Sequence, residues 1–428
     1  MNKTFRLTST LIIAAAVISG CSSSKSETAD VPPKEEKPPE PVTIRFHQLG
    51  AYFTERDFNE LVIEPVKKKY PHITVTMDKT TEDLPVLLTK GEVIDFLVTY
   101  HGRLSNYIDL GVYLDLTPLA SQYGLDLNKF DPGALDTIRA ITEKGDLIAL
   151  PYANNLNALY YNKDIFDKFG VPYPSDGLFW EDAIEVAKKV TRMDNQVQYR
   201  GMEIDDINRL LFPLGLNIIE ARTDRVLVNS EPYKRAFEVA RQIYSIPGNE
   251  FKTGSAIDRF IKEKTLAMIP TVNLFLRFRD VEDLNWDVAQ FPSYPDRPNI
   301  YGMYDLHCAI PMANSPNREA QMRVLEVLFS DEVQTIMSRK SAKFPVMKDP
   351  KFREMFGQDL PELKGKNIAG VLRSKTVHAP PNSYYYSKGL SLLNAEYQSV
   401  IKGEKDVNTA LREAEEKIKQ AIAAEKGK

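Results

Sequence analysis

The sequence predicts an α/β fold built as two lobes, each a mainly parallel sheet flanked by helices. Two observations carry this. Short β-rich runs alternate with helical patterns through the first third of the folded body, the rhythm of βαβ units. From Val42 onward the chain has 387 residues, more than the roughly 250–300 at which one core stops growing and a chain divides.

The elements follow in order. Val42-Thr43-Ile44-Arg45-Phe46 alternates apolar and polar residues and then meets a turn, the pattern of a half-buried strand. Thr54 with Asp57 resembles a capping box opening a helix that turns Phe58, Leu61 and Val62 inward. Pro65 lacks the N–H that an intact helix needs, so it should kink or interrupt this one, and Pro71 follows its last turn. Ile73-Thr74-Val75 reads as the second strand and Ile94-Asp95-Phe96-Leu97-Val98 as the third. Trp180, Ala183, Ile184, Ala187 and Val190 form one helical stripe; Val407, Leu411, Ala414, Ile418 and Ala421 form another. Leu306-His307-Cys308-Ala309-Ile310 reads as a buried strand. Ser315 offers an N-cap with Pro316 at the first helical position, and that helix turns Ala320, Val324, Leu325 and Leu328 inward. Ser330 can cap the next. The sequence holds no internal repeat and no heptad run.

Ahead of this body, Lys3 and Arg6 precede an apolar run over residues 11–18 and the small pair Ser19-Gly20, the layout of a secretory signal peptide. The run is too short to span a bilayer, which takes about 20 apolar residues. Val17-Ile18-Ser19-Gly20-Cys21 resembles a bacterial lipobox, which implies removal of residues 1–20 and acylation of Cys21; an ordinary signal peptide cut elsewhere is the alternative. Residues 21–41 then form a tether with five prolines and almost no apolar side chains, unable to bury enough surface to fold. With 55 Lys and Arg against 59 Asp and Glu the net charge is −4, and losing Lys3 and Arg6 takes it to −6. That acidity argues against a nucleic-acid partner. Acylation of Cys21 leaves only Cys308, so no intrachain disulfide is expected.

Several segments, in this order, resemble extracellular solute-binding proteins of ABC importers, in the branch that includes maltose- and oligosaccharide-binding proteins. They are Lys69-Tyr70-Pro71-His72-Ile73-Thr74-Val75, the run from Gly111-Val112-Tyr113 to Thr117-Pro118-Leu119, and Gly145-Asp146-Leu147-Ile148-Ala149-Leu150-Pro151-Tyr152. Leu159-Tyr160-Tyr161-Asn162-Lys163-Asp164, Lys264-Thr265-Leu266-Ala267-Met268 and Ser330-Asp331-Glu332-Val333-Gln334 continue the series. The resemblance implies a periplasmic-binding-protein fold of type II character with a hinged cleft that closes on a solute. By the same analogy the first lobe is 42–152 plus 272–329 and the second 153–271 plus 330–428. A separate ABC permease would be the partner, the protein would act as a monomer, and no cofactor is expected.

In open α/β sheets ligands bind beyond the carboxyl ends of the strands, so candidate residues follow each strand. Gln48 and Tyr52 follow the first. Thr99-Tyr100-His101-Gly102-Arg103 lines up with a family turn written W-x-H-D-R, whose Asp and Arg bond sugar hydroxyls; here Arg103 is kept, Gly102 replaces the Asp and Thr99 the Trp. His101 also reads as a packed turn residue. Asn154 and Asn155 stand where the chain should first cross between lobes, and their amides supply donors and acceptors together, although plain turn chemistry would use the same residues. Thr271 and Asn273 occupy the second expected crossing. Tyr301, Tyr304 and Asp305 join flat faces to a carboxylate, a pairing suited to sugars. Asp205, with Asp206, and the run Tyr384-Tyr385-Tyr386 add candidates from the second lobe.

The function these readings favour is capture of a carbohydrate, an oligosaccharide foremost, for delivery to a permease. A non-sugar or acidic solute is the alternative, and Arg103, Arg277 and Arg279 would suit one; a sensor partner is another. Catalysis finds no support in the sequence, which has no HExxH, GxSxG or CxxC pattern and five scattered histidines. Paired carboxylates for glycoside hydrolysis need not be local, so an enzyme acting on glycosides remains the third class.

Overall fold

The architecture is that of a computed structural model describing residues 39–427. The expected signal peptide and Cys21 lie outside the described residues. Among the described residues twelve strands occur in chain order: β1 Val42–Gln48, β2 Ile73–Met77, β3 Phe96–Tyr100, β4 Leu150–Asn154, β5 Asn157–Asn162, β6 Arg192–Asp194, β7 Val197–Met202, β8 Leu266–Val272, β9 Trp286–Ala289, β10 Ile300–Met303, β11 Leu306–Pro311 and β12 Lys375–Val377. One five-stranded sheet has the order β2-β1-β3-β11-β4, a second β6-β7-β8-β5-β9, and β10 pairs with β12 alone. Each large sheet backs its own apolar core, one built around Phe46, Phe96, Tyr152 and Leu325, the other around Tyr160, Trp180, Phe237 and Ile269.

Both sheets are mixed rather than mainly parallel. β1 runs parallel to β2 and β3, while β11 is antiparallel to both β3 and β4. In the second sheet β7 and β8 are parallel and β5 is antiparallel to β8 and β9. The cause is the interlobe crossing. A strand that enters a lobe from the crossing, as β5 and β11 do, runs away from the cleft, whereas β1, β3 and β8 run toward it.

Two expected boundaries move. Residues 272–303 belong to the second lobe, because β9 extends the β5 sheet and Phe275, Trp286, Phe291 and Tyr301 lie in that core. The second crossing therefore falls at Tyr304–Asp305. The helix Asp331–Lys340 stays with the first lobe, placing Val333 and Met337 in its core; the third interlobe segment then puts Ala342 and Phe344 against the second-lobe core, returns Val346, Met347 and Phe352 to the first, and passes to the second lobe before Phe356.

Local chemistry explains most elements. Thr54 Oγ1 accepts the Asp57 N–H at 3.0 Å and caps the helix Glu55–Phe58. Ahead of Pro65 the turn widens, with the Glu64 N–H reaching Asn59 O five residues back, and a new helix Glu64–Lys69 begins with the proline in its first turn. The helix Trp180–Val190 buries all five residues of its stripe, each contributing about 1.5–3 kcal/mol where the side chain is large. In the helix Val407–Lys426 the buried position is Ile422 rather than Ala421. Ser330 caps the helix Asp331–Lys340 as expected. Ser315 does not cap: its hydroxyl donates to buried Asp95 Oδ1 and the helix Arg318–Leu328 starts after Asn317. Cys308 lies fully buried in β11.

Candidate functional site

The first-lobe wall is built at the ends of β1 and β3. Gln48 spends its side chain locally, Oε1 accepting the Phe53 N–H at 2.6 Å, and Thr99 Oγ1 donates to Leu49 O at 2.6 Å. These bonds close the loop 49–53 and push Tyr52 outward, 58% exposed. The Tyr100 ring is wedged between two glycines: a Cβ on Gly50, whose φ is +88°, would lie 3.0 Å from Cε1, and one on Gly102 would lie 2.8 Å from Cε2. That crowding explains glycine at 102 where the resembling turn has aspartate. Arg103 does not project freely. Its Nη2 donates to Asp83 Oδ2 at 3.0 Å, beside the Tyr107 hydroxyl that also bonds Asp83.

His101 is the packed alternative. Its ring is buried and Nδ1 accepts the Leu306 N–H at 3.1 Å, fixing the start of β11. Burial pushes its pKa down, which keeps Nδ1 free to accept.

Three chain segments run side by side between the lobes and consume the polar candidates found there. Asn155 N–H donates to Asp305 O at 2.8 Å and Asn154 N–H to Phe344 O at 2.9 Å. The Asn154 amide accepts the Asp305 N–H at 2.9 Å and donates to the Tyr301 hydroxyl at 2.9 Å. Asn155 Nδ2 reaches Asp305 Oδ2 at 3.2 Å. Asn154 and Tyr301 are buried, so both leave the expected contact set and act as hinge ties. Tyr304 turns away, donating to Asp131 Oδ1 at 2.9 Å across Gly133. Asn273 secures the third segment, its Nδ2 donating to Ala342 O and its Oδ1 accepting the Phe275 N–H.

On the second lobe, fully buried Thr271 donates to Asp205 Oδ2 at 2.8 Å, and Arg209 bonds Asp205 Oδ1 at 3.2 Å and Asn157 Oδ1 at 3.3 Å. Asp205 also lines a cavity of about 470 Å³ inside this lobe, with Tyr244, Phe251 and Arg259. Asp206 accepts the Asn208 N–H at 2.7 Å. Asn382, which sequence reasoning missed, donates across the lobes to Gly102 O at 3.3 Å. Its only local signal is a polar residue between Pro380-Pro381 and the tyrosine run. Tyr384 beside it is 62% exposed. Burial pushes the Tyr386 phenol up, with Tyr100, Asp206 and Asp305 adding to the effect.

The constellation brings Tyr100, Gly102 and Asn382 together beside Asp305, and the exposed rings of Tyr52 and Tyr384 follow two residues after Gly50 and Asn382. It offers aromatic faces and a neutral amide, while Arg103 faces Asp83 and Arg209 faces Asp205. Neither tryptophan contributes, since Trp180 and Trp286 are both buried. A second cavity of about 730 Å³, lined by Arg56, Phe278, Trp286, Glu362 and Lys366, shares only Arg279 with the sequence candidates. Among the described residues no group of three His, Cys, Asp or Glu is placed to hold a metal, and no helix is long and apolar enough to cross a membrane.

The family model for bacterial extracellular solute-binding proteins matches residues 62–387. Binding proteins of Brucella abortus and Brucella suis are 24% identical over 221 residues, covering 48% of this chain and 52% of theirs; the chain thus spans about half the length of the curated relatives it matches. Among solved structures, an ABC substrate-binding protein of Listeria monocytogenes in complex with cycloalternan superposes with a TM-score of 0.72 at 20% identity, covering 90% of this chain and 100% of that one. A sugar-binding protein of Xanthomonas citri gives 0.71 at 17% identity, with 90% and 98% covered.

Proposed function

The chain belongs to the bacterial extracellular solute-binding proteins, and from that membership we infer that its cleft captures a carbohydrate, foremost an oligosaccharide, for an ABC permease. The observation that carries the reading is that Tyr52 and Tyr384, two residues beyond the Gly50 and Asn382 that border Tyr100 and Gly102, keep their rings exposed. Sugars present CH-rich faces that stack on aromatic rings and hydroxyls that need both donors and acceptors. The carboxylate partners of Arg103 and Arg279 weigh against the acidic-solute alternative, which is left with exposed Arg277 as its cation. The cycloalternan in complex with the Listeria protein and the description of the Xanthomonas one as sugar-binding support the same class.

Ligand binding would bias an open-to-closed equilibrium about the three crossing segments, and the closed form would dock on the permease. Family membership places the protein outside the cytoplasm. We assign the membrane attachment to acylation of Cys21, with residues 22–41 as the tether and a monomeric body beyond it; labelled palmitate should enter the wild-type chain and not Cys21→Ser.

A thermal-shift screen tests the solute. A binder of the native state raises the apparent melting temperature, so maltotriose or cycloalternan should raise it and glucuronate should not. A shift with glucuronate alone would sink the neutral-sugar reading.

A further inference from the structure

A largely covered cation lies on the third interlobe segment, against the loop that carries Tyr52. Lys343, on that segment, has a side chain only 13% exposed, with Nζ 3.8 Å from Asp57 Oδ2. The ammonium lies 5.7 Å from the ring centroid of Phe53 and 5.9 Å from that of Tyr152, two rings stacked on each other at 4.4 Å. A carboxylate and two ring faces are what a desolvated ammonium requires. Its hydrogen bond goes to neither of them. Nζ donates to the main-chain carbonyl of Tyr52 at 3.1 Å, the residue whose own ring is the most open aromatic of the first-lobe wall.

The next residue is held as well, because Gln48 accepts the Phe53 N–H and donates to the Phe53 carbonyl at 3.4 Å. Tyr52 is thus exposed in its side chain and fixed in its backbone. A loose loop end would lose conformational entropy on stacking against a solute; a clamped one has lost it already.

We propose that Lys343 is a positioning residue of the cleft: by holding the Tyr52 carbonyl it sets the direction in which the Tyr52 ring faces solute, and it ties that direction to an interlobe segment. The inference rests on Tyr52 being a solute-stacking residue, so the first test uses no solute. Hydrogen exchange on the full chain should show peptides covering residues 49–57 exchanging about tenfold faster in Lys343→Met, which keeps the apolar stem and removes the donor, with peptides from β5 and β8 unchanged. Lys343→Arg should restore protection. Should Lys343→Met fail to fold through the charge left on Asp57, the pair Lys343→Met with Asp57→Leu removes both charges and should show the same local change. Unchanged exchange over 49–57, or equal acceleration in both lobes, overturns the clamp.

Titration with maltotriose gives the second test. Lys343→Met should weaken binding about fivefold, and adding it to Tyr52→Ala should cost less than about twofold more, since one residue acts through the other. Fully additive losses overturn the positioning role. A wild-type chain that ignores maltotriose counts against the proposed function, and the exchange result then decides the clamp alone.

Discussion

The hinge and the cleft wall use the same residue types for opposite purposes. At the hinge, Asn154, Asn155, Tyr301 and Asp305 satisfy one another, so the three crossing segments are laced into a short ribbon. At the wall, Tyr52 and Tyr384 keep their rings in solvent, and Asn382 spends one donor on a carbonyl of the opposite lobe. The difference shows that a polar or aromatic residue after a strand marks the cleft region without telling whether it binds solute or holds the lobes together. What separates the two is whether its partners lie within the chain.

The largest expected effect breaks the hinge. Asn154→Leu strands the half-buried Asp305 N–H and removes the donor to the buried Tyr301 hydroxyl, and it should cost about 2–4 kcal/mol in urea unfolding. A loss below about 0.5 kcal/mol would mean the ribbon does not depend on this amide.

Protonation strikes the same region. Burial lowers the pKa of His101, and that of His307 is pushed down to about 4 by burial, with Lys343 and His101 adding. Both fold in the neutral form, while the unfolded chain protonates near 6.5. The unfolded state therefore binds more protons, so their contribution to stability is whole above about pH 6.5 and is lost as pH falls toward 4. Stability should drop on the order of 2–3 kcal/mol between pH 7 and 4.5, and His307→Gln should flatten that slope. An unchanged slope in the variant would remove His307 from the account.

The wall should respond the other way. Tyr384→Ala should weaken sugar binding about tenfold while leaving stability within about 0.5 kcal/mol, because an exposed ring contributes little to the fold. Equal losses of both would make Tyr384 a structural residue. Arg103→Ala should have the smallest effect on affinity, about threefold, acting by releasing Asp83 and Tyr107 rather than by removing a contact to solute. A hundredfold loss would return Arg103 to direct recognition.

Much of this was legible because the chemistry was local. Thr54 and Ser330 announce helix starts through bonds that span three residues, and the stripe from Trp180 to Val190 repeats at helical spacing. The second crossing was not legible. Val272 and Met303 both end strands and both precede polar turns, and only pairing of β9 with β5, more than 120 residues apart, assigns 272–303 to the second lobe. Lys343 was invisible for the same reason: its partners Tyr52 and Asp57 lie almost 300 residues away.

The sequence by itself determined the α/β class, the two-core size, the helix caps and stripes, and the family, since each is written in residue order, spacing or length. The tertiary structure decided which strands run against their neighbours, where the chain crosses, and which Asn, Asp and Tyr remain open to a solute. Those outcomes depend on which distant groups become neighbours, and a hydrogen bond made at 2.9 Å across 147 residues, as between Asn154 and Tyr301, leaves no local pattern.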